Sequence, residues 1–429
     1  MDEATGTKGM PTVDMISLEE ARELVLSRVG TLEVETVPVL EAAGRVAAAP
    51  LTSDIDITPF DHSAMDGFAL RAEQLAGASP QTPVELKVVA EVAAGEVYEG
   101  PLAADECVRI MTGAPLPAAA DSSVKYEIVG VVSGDGRTGS VVSFTAPCAL
   151  GDNIRRKGEE ARAGEVIVQP GEVIHTAGVG FLAGCGVVEV PVYRRPTIAI
   201  IAIGSELVEP DEVPTPGKIR NSNSYALAAC ARAAGAVPTL LPIVPDTHEA
   251  LAAAVEEATR SFDFVLTSGG ASNGDFDFIK PVVAELGELY MTTVNMRPGK
   301  AQTFGLVNGT PVFGLAGNPA AAYVGFEMIV RPALRKMQGY STFVRPTVRA
   351  ALTADVKKND PRRLFLRSVL TKDEEGNYLV TPAKNQSSGL FGPIQRGNCM
   401  AILPEGKGGR AKGEVVECVL LEVDEGVVL

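Results

Sequence analysis

The sequence predicts an α/β multidomain protein, in which a three-layer α/β domain with a parallel-type sheet is accompanied by β-rich domains. Residues 195–340 alternate strand-like apolar runs with segments of helical period, a pattern typical of a parallel sheet covered by helices on both faces. Residues 67–147 and 345–429 instead show short alternating runs separated by turns. The chain of 429 residues is also too long for one hydrophobic core, and its length favours roughly three domains.

The N-terminal part is expected to begin with a helix. Ser17–Glu20 has the pattern of a capping box, and apolar residues follow at helical spacing until Gly30. Residues 31–58 alternate and turn, and residues 67–147 read mostly as strand. Within that stretch, Ser133–Gly136 separates two β-branched runs and predicts a hairpin.

The character of the chain changes at Arg194-Arg195-Pro196, where we place the start of the α/β domain. Thr197–Ile203 is a continuous apolar run, as a strand buried on both faces requires. The later elements are predicted as strands over 237–244 and 262–267, short strands around Val294, Phe304 and Val312, and helices over 222–234, 248–260, about 277–286 and about 320–337.

These patterns divide the chain into consecutive segments. We expect an N-terminal helix with the first part of a linker subdomain, a β-rich subdomain, the second part of the linker subdomain, the three-layer α/β domain and a small C-terminal β domain. Their expected boundaries are 1–66, 67–147, 148–194, 195–340 and 341–429.

Charge and composition restrict the classes of partner. The net charge of −16 repels nucleic acid and anionic lipid, so we expect no nucleic-acid partner, and any phosphate ligand needs a local site. No secretion signal, Cys-x-x-Cys pair or membrane-length apolar run is evident, which predicts a cytoplasmic protein with reduced thiols that is not embedded in a membrane.

Acidic residues follow three successive strands of the α/β domain. Glu206 follows the first strand, Asp246 the second, and the Gly269-Gly270 turn leads from the third to Asp275 and Asp277. Because parallel strands end at one edge of a sheet, these carboxylates are expected to converge where Mg²⁺ and an anion can bind. Two simpler readings stay open: Asp246 caps the next helix with Glu249 closing the box, and Glu206 is a solvated loop acid.

Cations gather in the same part of the chain. Lys218 and Arg220 precede a helix, Lys280 follows Asp277, and Arg297–Lys300 forms a compact basic turn. In an acidic protein these groups are candidate contacts for phosphate or another oxyanion. The alternative is ordinary surface charge.

The chain resembles a known family, the molybdopterin molybdenumtransferases, which include the E domain of gephyrin. The resemblance covers nearly the whole chain and rests on long motifs in a fixed order. They are Pro59–Ala69, Val108–Pro117, Gly151–Glu159, Gly204–Leu207, Ser222–Ser224, Thr267–Asp277, Arg297–Lys300 and Gly317–Pro319.

The resemblance implies an elongated, four-subdomain chain that forms a homodimer with clefts built from two protomers. It implies a reaction in which adenylylated molybdopterin and molybdate yield molybdenum cofactor and AMP, assisted by Mg²⁺. The implied catalytic residues are Asp66, Thr112, Glu206, Asp246 and Asp277, of which the four acids would also hold the metal. The implied substrate-binding residues are Ser268, Gly269, Gly270, Ser272, Asp275, Lys280, Arg297, Pro298 and Lys300.

Several positions depart from the family's usual motifs. Ser205 and Asn221 stand where the family usually has acids, and Glu160, Ala316 and Ala321 also replace its usual residues. Their clustering around one site suggests relaxed or changed catalytic demand.

Two functions therefore remain to be distinguished. The first is the transferase. The second is a gephyrin-like scaffold that binds the peptide tail of a cytoskeletal (cell-division) or membrane protein at the C-terminal β domain, alongside or instead of catalysis. Leu390, Phe391 and Pro393 are candidate anchors for such a peptide; the alternative is that they are buried inside the domain.

Overall fold

The computed structural model describes residues 14–270 and 278–422. The chain forms two compact units. One comprises residues 36–192, and the other combines the segment before residue 36 with residues 193 onward. The two units are described separately below. No helix in the described part of the chain has the length and apolar character needed to cross a bilayer.

The unit over residues 36–192 is built mainly from short strands. Among the described residues, this unit contains one α-helix, Thr176–Gly184. It is numbered α2 because one helix of the other unit precedes it in the chain. The strands are β1 (Val34–Pro38), β2 (Leu51–Thr52), β3 (His62–Ser63), β4 (Gly67–Leu70), β5 (Val84–Val92), β6 (Glu106–Ile110), β7 (Ser122–Lys125), β8 (Gly130–Ser133), β9 (Val141–Phe144), β10 (Ile154–Arg155), β11 (Val166–Val168) and β12 (Glu189–Tyr193); α1 is Leu18–Ser27 and α2 is Thr176–Gly184.

A six-stranded sheet forms the core of this unit. Its strand order is β7-β4-β6-β5-β9-β8, and only the β5–β6 pair is parallel. The alternation along β6 places Cys107 in the cluster on one face and Val108 in the cluster on the other. The predicted hairpin is confirmed, because β8 and β9 pair antiparallel on either side of the Ser133–Gly136 turn.

In the other unit, the predicted N-terminal helix is confirmed. The Ser17 hydroxyl accepts the Glu20 N–H, and the Glu20 carboxylate accepts the Ser17 N–H at 2.8 Å, so the capping box is complete. The helix α1 ends at Ser27, and its buried face contributes Leu18, Ala21 and Val25 to the core of this unit.

The α/β part of this unit follows the predicted alternation closely. Its elements are β13 (Thr197–Ala202), β14 (Leu207–Val208), β15 (Ile219–Arg220), α3 (Asn223–Ala233), β16 (Val237–Leu240), α4 (His248–Thr259), β17 (Phe264–Ser268), α5 (Ile279–Leu286), β18 (Gly287–Thr293), β19 (Met296–Arg297), β20 (Ala301–Val307), β21 (Thr310–Leu315), α6 (Pro319–Gly325) and α7 (Arg331–Met337).

The three-layer arrangement is confirmed by the two hydrophobic clusters that cover the sheet. Along β13, Ile198 and Ile200 face the cluster that contains α1, α3 and α7, whereas Ala199 and Ile201 face α4 and α5. The strand therefore has to be apolar at every position, which explains the unbroken run in the sequence.

The sheet is mixed rather than wholly parallel, which corrects one part of the prediction. In the order β16-β13-β17-β21-β20-β18, the first four strands are parallel, and β20 runs antiparallel to both neighbours. The reason is local: Asn308 and Gly309 both have positive φ, of 53° and 79°, and join β20 to β21 in a tight hairpin.

The predicted continuous helix over 320–337 is also interrupted. A π-helical segment, Phe326–Val330, separates α6 from α7. Pro332 has no N–H to donate to the carbonyl of Met328, and the Arg22 side chain donates to that carbonyl instead, at 3.1 Å. Pro332 therefore explains why the Met328 carbonyl lacks its usual helical hydrogen bond.

The C-terminal part is a small β-barrel. Its strands are β22 (Thr347–Leu352), β23 (Arg363–Lys372), β24 (Tyr378–Pro382), β25 (Cys399–Leu403) and β26 (Val415–Leu420), with the short helix α8 (Gly392–Gln395) before β25. The order β23-β24-β22-β26-β25 closes through an additional β23–β25 pairing. Closure leaves no free edge among these strands, so a peptide cannot bind there by simple strand addition.

Candidate functional site: a sheet edge and a basic cavity

The carboxyl end of β13 is joined to the loop after β16 by two hydrogen bonds. The backbone N–H of Ser205 donates to Asp246 Oδ2 at 2.7 Å, and the N–H of Asp246 donates to the Ser205 hydroxyl at 3.3 Å. Lys218 Nζ donates to the Ser205 carbonyl at 2.5 Å. The structure therefore brings the first two predicted acidic loops together at one edge of the sheet.

Asp246 is not the cap of the following helix, so that alternative is wrong. The N-cap of α4 is Thr247, whose hydroxyl accepts the N–H of Ala250. Because the hydroxyl of Thr247 performs the capping, the carboxylate of Asp246 is directed to Ser205, and its Oδ1 is left available for a ligand.

The turn after β17 requires glycine for a steric reason. Gly269 has φ of +95°, and a Cβ on it would lie 2.1 Å from the carbonyl oxygen of Ile203. Its N–H donates to the Leu315 carbonyl at 3.2 Å. The ends of β13, β17 and β21 are therefore held in close contact at the predicted Ser268-Gly269-Gly270 site.

Asn223, at the start of α3, connects the same strands and was not among the predicted site residues. Its Nδ2 donates to the Ser268 hydroxyl at 2.8 Å and to the Gly317 carbonyl at 2.9 Å. Its Oδ1 is buried without a hydrogen-bond partner among the described residues. A buried acceptor without a partner is suited to accept a hydrogen bond from an N–H group of a ligand. The Ser222–Ser224 motif was the signal that could have indicated it.

Two carboxylates at this edge have the chemistry of magnesium ligands. Glu206 is exposed, and its carboxylate folds back over Gly204; Asp246 retains one oxygen without a partner. Carboxylate oxygens completed by substrate phosphate suit Mg²⁺. Among residues 14–270 and 278–422, no three Asp, Glu, His or Cys side chains form a metal-binding group. Ser272, Asp275 and Asp277, also expected here, lie outside the described residues.

A cavity of about 1080 Å³, here called the basic cavity, lies between the α/β domain and the C-terminal barrel. Its lining includes the predicted Arg297, Pro298 and Lys300. The further basic residues that line it are Lys357, Lys358, Arg362, Arg367 and Lys384. Among the described residues, the acidic ones that line it are Asp355 and Asp360, and Asp360 is bound to Arg297 and Arg362. Those arginines hold the pKa of Asp360 far below its usual range.

Arg367 is the least solvent-accessible cation of this cavity. It is 1% exposed, and its Nη atoms donate to the carbonyls of Phe365 and Ser387. Its Nε is buried without a partner among the described residues. Burial lowers the pKa of Arg367 to about 10 without neutralising it at pH 7. An unpaired buried guanidinium is a strong site for an oxyanion.

The other predicted cations have different surroundings. Lys218 is bound to the loop at Ser205, and Arg220 Nε donates to the Glu212 carbonyl at 2.9 Å. Lys280, on α5, does not line the basic cavity. Ala316 and Ala321, two of the positions that depart from the family motif, do line it, and Gly317 between them receives the hydrogen bond from Asn223. The sheet edge and the cavity are thus neighbours.

In the unit over residues 36–192, Asp66 and Thr112, two of the implied catalytic residues, contact each other. Asp66 Oδ1 accepts the Thr112 N–H at 2.8 Å and the Thr112 hydroxyl at 2.7 Å. These two donors hold the pKa of Asp66 below its usual range, and Arg109 adds to the effect. Both side chains are exposed, so this ionised carboxylate is accessible to a ligand.

The fold and the site define a multidomain α/β protein with a cavity rich in basic residues next to a glycine-rich sheet edge. Three family models match consecutive parts of the chain: the MoeA N-terminal region (domain I and II) over residues 16–186, the probable molybdopterin binding domain over 199–336, and the MoeA C-terminal region (domain IV) over 349–421.

Relatives of known name agree with these matches. The chain is 37% identical to the molybdopterin molybdenumtransferase of Bacillus subtilis, over 92% of this chain and 91% of that protein. It is 34% identical to that of Staphylococcus aureus, covering 95% and 96%. A crystal structure of the molybdopterin biosynthesis MoeA protein of Pyrococcus horikoshii superposes with a TM-score of 0.80 at 29% identity, covering 95% of this chain and 100% of that one. The chain belongs to the molybdopterin molybdenumtransferase family of enzymes.

Proposed function

We propose that the protein inserts molybdenum into adenylylated molybdopterin, with release of AMP, in the biosynthesis of molybdenum cofactor. The observation that supports this most is the basic cavity next to the sheet edge. An oxyanion and a phosphorylated pterin both need concentrated positive charge, which the net charge of −16 does not otherwise provide.

Each part of the site has a distinct role in this proposal. Arg367 and Lys300 bind molybdate in the basic cavity, while Asn223 and the Ser268-Gly269-Gly270 turn position the pterin substrate. The free Oδ1 of Asn223 accepts an N–H of the pterin. Asp66 and Thr112, in the unit over residues 36–192, are the catalytic residues that the family resemblance implies there, with Asp66 as an ionised carboxylate.

A divalent metal fits the sheet edge. Glu206 and Asp246, with Asp66 and the undescribed Asp277, are the proposed ligands. Mg²⁺ bound there would offset the charge of the pyrophosphate while the AMP leaves. This chain's own residues bind the substrates, and the two hydrogen bonds from Thr112 lower the pKa of Asp66 and keep its carboxylate ionised.

Further parts of the proposal rest on the family resemblance. We propose that the protein is a cytoplasmic homodimer and that its subdomains have the boundaries 1–66, 67–147, 148–194, 195–340 and 341–429. Sedimentation at micromolar protein concentration measures the mass directly, and a monomer mass would contradict the dimer.

The test of the activity uses purified protein with adenylylated molybdopterin, molybdate and Mg²⁺, and measures AMP release and cofactor formation. We expect molybdate-dependent formation of cofactor, and its loss in Asp66→Ala with an unchanged circular dichroism spectrum. A wild-type protein that produces no cofactor under these conditions would refute the enzymatic proposal.

A second proposal is a scaffold that binds a peptide tail from a cytoskeletal or membrane protein. Two grooves in the C-terminal part support it. The Leu390 groove, of about 520 Å³, is lined by Val369, Leu390 and Pro393 among others. Leu390 is 37% exposed, Pro393 is buried and Phe391 is half-buried and does not line the groove, so the predicted anchors are divided between surface and interior.

The other groove, here the α1 groove, has a volume of about 570 Å³. Its apolar lining includes Leu18, Pro332 and Ile402, and Glu19 and Arg22 supply charge along it. An extended apolar tail with charged flanks suits such a surface. With the barrel closed, a groove replaces strand addition as the mode of binding.

The scaffold proposal is tested by affinity capture from the native cytoplasm followed by titration of the captured protein's tail. We expect micromolar affinity, on the order of −8 kcal/mol, and its loss in Leu390→Asp or Val344→Asp, according to the groove used. Val344 is 54% exposed and lines the α1 groove. Val415→Asp is the matched control, because Val415 is 50% exposed on the same barrel and lines neither groove. Binding that survives both groove variants would contradict the proposal.

A further inference from the structure

A small recess next to the basic cavity is lined by basic residues and, in the part of the chain that the structure describes, by no acidic one. Its volume is about 380 Å³, and its walls are the segments 356–359 and 407–410. The basic residues in these walls are Lys357, Lys358, Lys407 and Arg410. In a chain with a net charge of −16, such a concentration of positive charge needs an explanation.

The two walls of the recess are fixed to each other. Lys358 Nζ donates to the carbonyls of Pro404 and Gly406, each at 2.5 Å. Val356 and Arg410 exchange two backbone hydrogen bonds of 2.8 and 2.9 Å. Gly409 lies so close that a Cβ on it would be 2.0 Å from the Val356 carbonyl oxygen. The position of the charged loop is therefore set before a ligand arrives.

The side chains of Lys357 and Lys407 have no partner within residues 14–270 and 278–422. Both are exposed, and neither makes a side-chain hydrogen bond or ion pair among the described residues. By contrast, the buried ammonium of Lys358 is used to hold the loop. The free charge at the mouth of the recess thus comes from lysines that contribute nothing visible to the fold.

The recess adjoins the basic cavity. Residues 356–359 line both, so the segment forms a shared wall. The acids near this wall are already engaged: Asp360 binds Arg297 and Arg362, and Asp355 accepts the Lys412 N–H at 2.8 Å. Glu414 lies 3.8 Å from Arg410 Nε, so Arg410 is partly neutralised. The uncompensated positive charge of the recess therefore comes from Lys357 and Lys407, next to the cavity that contains Arg367.

We propose that this recess is an entry site that captures a small tetrahedral oxyanion from solution and passes it into the basic cavity. The inference rests on the proposed function, because molybdate is the free oxyanion that the reaction uses. The net negative charge of the protein repels a dianion at long range, and a local positive funnel raises its rate of capture. The same chemistry would also attract the phosphates of the pterin substrate, so the experiment varies the two substrates separately.

The test compares Lys407→Gln with Lys412→Gln. Both variants remove one positive charge from the same loop, but only Lys407 lines the recess. At an ionic strength of about 0.01 M, where screening is weak, we expect Lys407→Gln to lower kcat/KM for molybdate about three- to tenfold. The double variant Lys357→Gln/Lys407→Gln should lower it further, and about 0.5 M salt should remove most of the difference. Lys412→Gln should change it less than about twofold.

The arms of the experiment separate the possible failures. Equal losses of kcat/KM for molybdate in the Lys407 and Lys412 variants would overturn the entry site. A loss confined to kcat/KM for adenylylated molybdopterin would also overturn it, and would assign the recess to the phosphates of that substrate. A wild-type protein without molybdate-dependent product would instead refute the proposed function. Equilibrium dialysis with molybdate alone checks the inference independently, since weaker binding is expected only in the recess variants.

Discussion

The sheet edge around Ser205 and Asp246 and the basic cavity around Arg367 differ in how their residues are distributed along the chain. Each part of the sheet edge is a short segment that follows a strand, so its residues can be recognised locally. The cavity is assembled from segments near 297–300, 355–367 and 382–388, which meet only when the barrel packs against the α/β domain. Both are parts of the same unit and neighbour each other at Gly317.

The two regions also depend on different forces. The sheet edge is a steric arrangement in which backbones approach closely and glycine is obligatory. The cavity is an electrostatic arrangement in which basic residues outnumber the acidic residues among the described lining. We therefore expect substitutions at the edge to affect folding first, and substitutions in the cavity to affect ligand binding first.

The largest expected effect is that of Gly269→Ala on stability. The positive φ alone costs about 1–2 kcal/mol, and the new Cβ would lie 2.1 Å from a backbone oxygen, so β13 and β17 must separate. Thermal unfolding should show a fall in melting temperature well beyond that of Gly309→Ala. Gly309 also has positive φ, of 79°, but no atom lies within 4 Å of a Cβ there. Equal falls in melting temperature in the two variants would show that the close approach of Gly269 to the Ile203 carbonyl does not matter for stability.

The second expected effect is on oxyanion binding. Arg367→Met removes a buried cation whose Nε has no partner, and should weaken molybdate binding by about 1.5–3 kcal/mol, or roughly tenfold to a hundredfold. Equilibrium dialysis measures this directly. Arg349→Met is the matched control, because Arg349 is exposed on the same barrel and does not line the cavity. If molybdate affinity is unchanged in Arg367→Met, the cavity does not bind the oxyanion.

The sequence predicted the sheet edge well because its signals are local. The apolar run Thr197–Ile203 and the Gly269-Gly270 turn were sufficient to place the strand ends, and Ser205 and Asp246 lie at them as expected. The sequence did not predict that Thr247 caps α4, because Asp and Thr are both good caps and only the backbone conformation distinguishes them. The antiparallel direction of β20 follows from the Asn308-Gly309 turn, which is also a local signal.

The cavity was predicted only where a motif marked it. Arg297 and Lys300 were recognised in their compact turn, but Arg367 occupies an ordinary strand position in β23. That it is buried, with an unpaired Nε, follows from barrel closure and from the carbonyls of Phe365 and Ser387. Contacts between residues this distant in sequence cannot be inferred from periodicity.

A smaller effect is expected at Asp66, in the other unit, and it concerns pH. Two donors from Thr112 favour the charged carboxylate, so the pKa of Asp66 is lowered, and activity that needs the ionised form should persist as pH falls until that pKa is reached. Thr112→Val removes the hydroxyl donor, raises the pKa of Asp66, and should move the acidic limb of the pH–rate profile to higher pH. Thr145→Val, an exposed threonine of the same unit, should leave the limb in place. If the acidic limb does not move in Thr112→Val, ionisation of Asp66 does not determine the pH dependence of the rate.

The smallest expected effect comes from restoring family-type acids at the sheet edge. Ser205 lies next to Asp246, and Asn221 is 4% exposed with its Oδ1 accepting the Ser224 N–H at 3.3 Å. An aspartate at 221 can accept the same bond near the N-terminus of α3, where a negative charge is favoured by about 0.3–1 kcal/mol, which offsets part of its desolvation. Ser205→Asp with Asn221→Asp should therefore fold, and should raise Mg²⁺-dependent AMP release a few-fold by supplying oxygen ligands. The Mg²⁺ concentration at half-maximal rate should fall as well. A lower rate at every Mg²⁺ concentration, with an unchanged melting temperature, would contradict this prediction. It would mean that Ser205 and Asn221 serve this protein's reaction better than aspartates do, and that the sheet edge, unlike the basic cavity, is not described by a loss of catalytic acids.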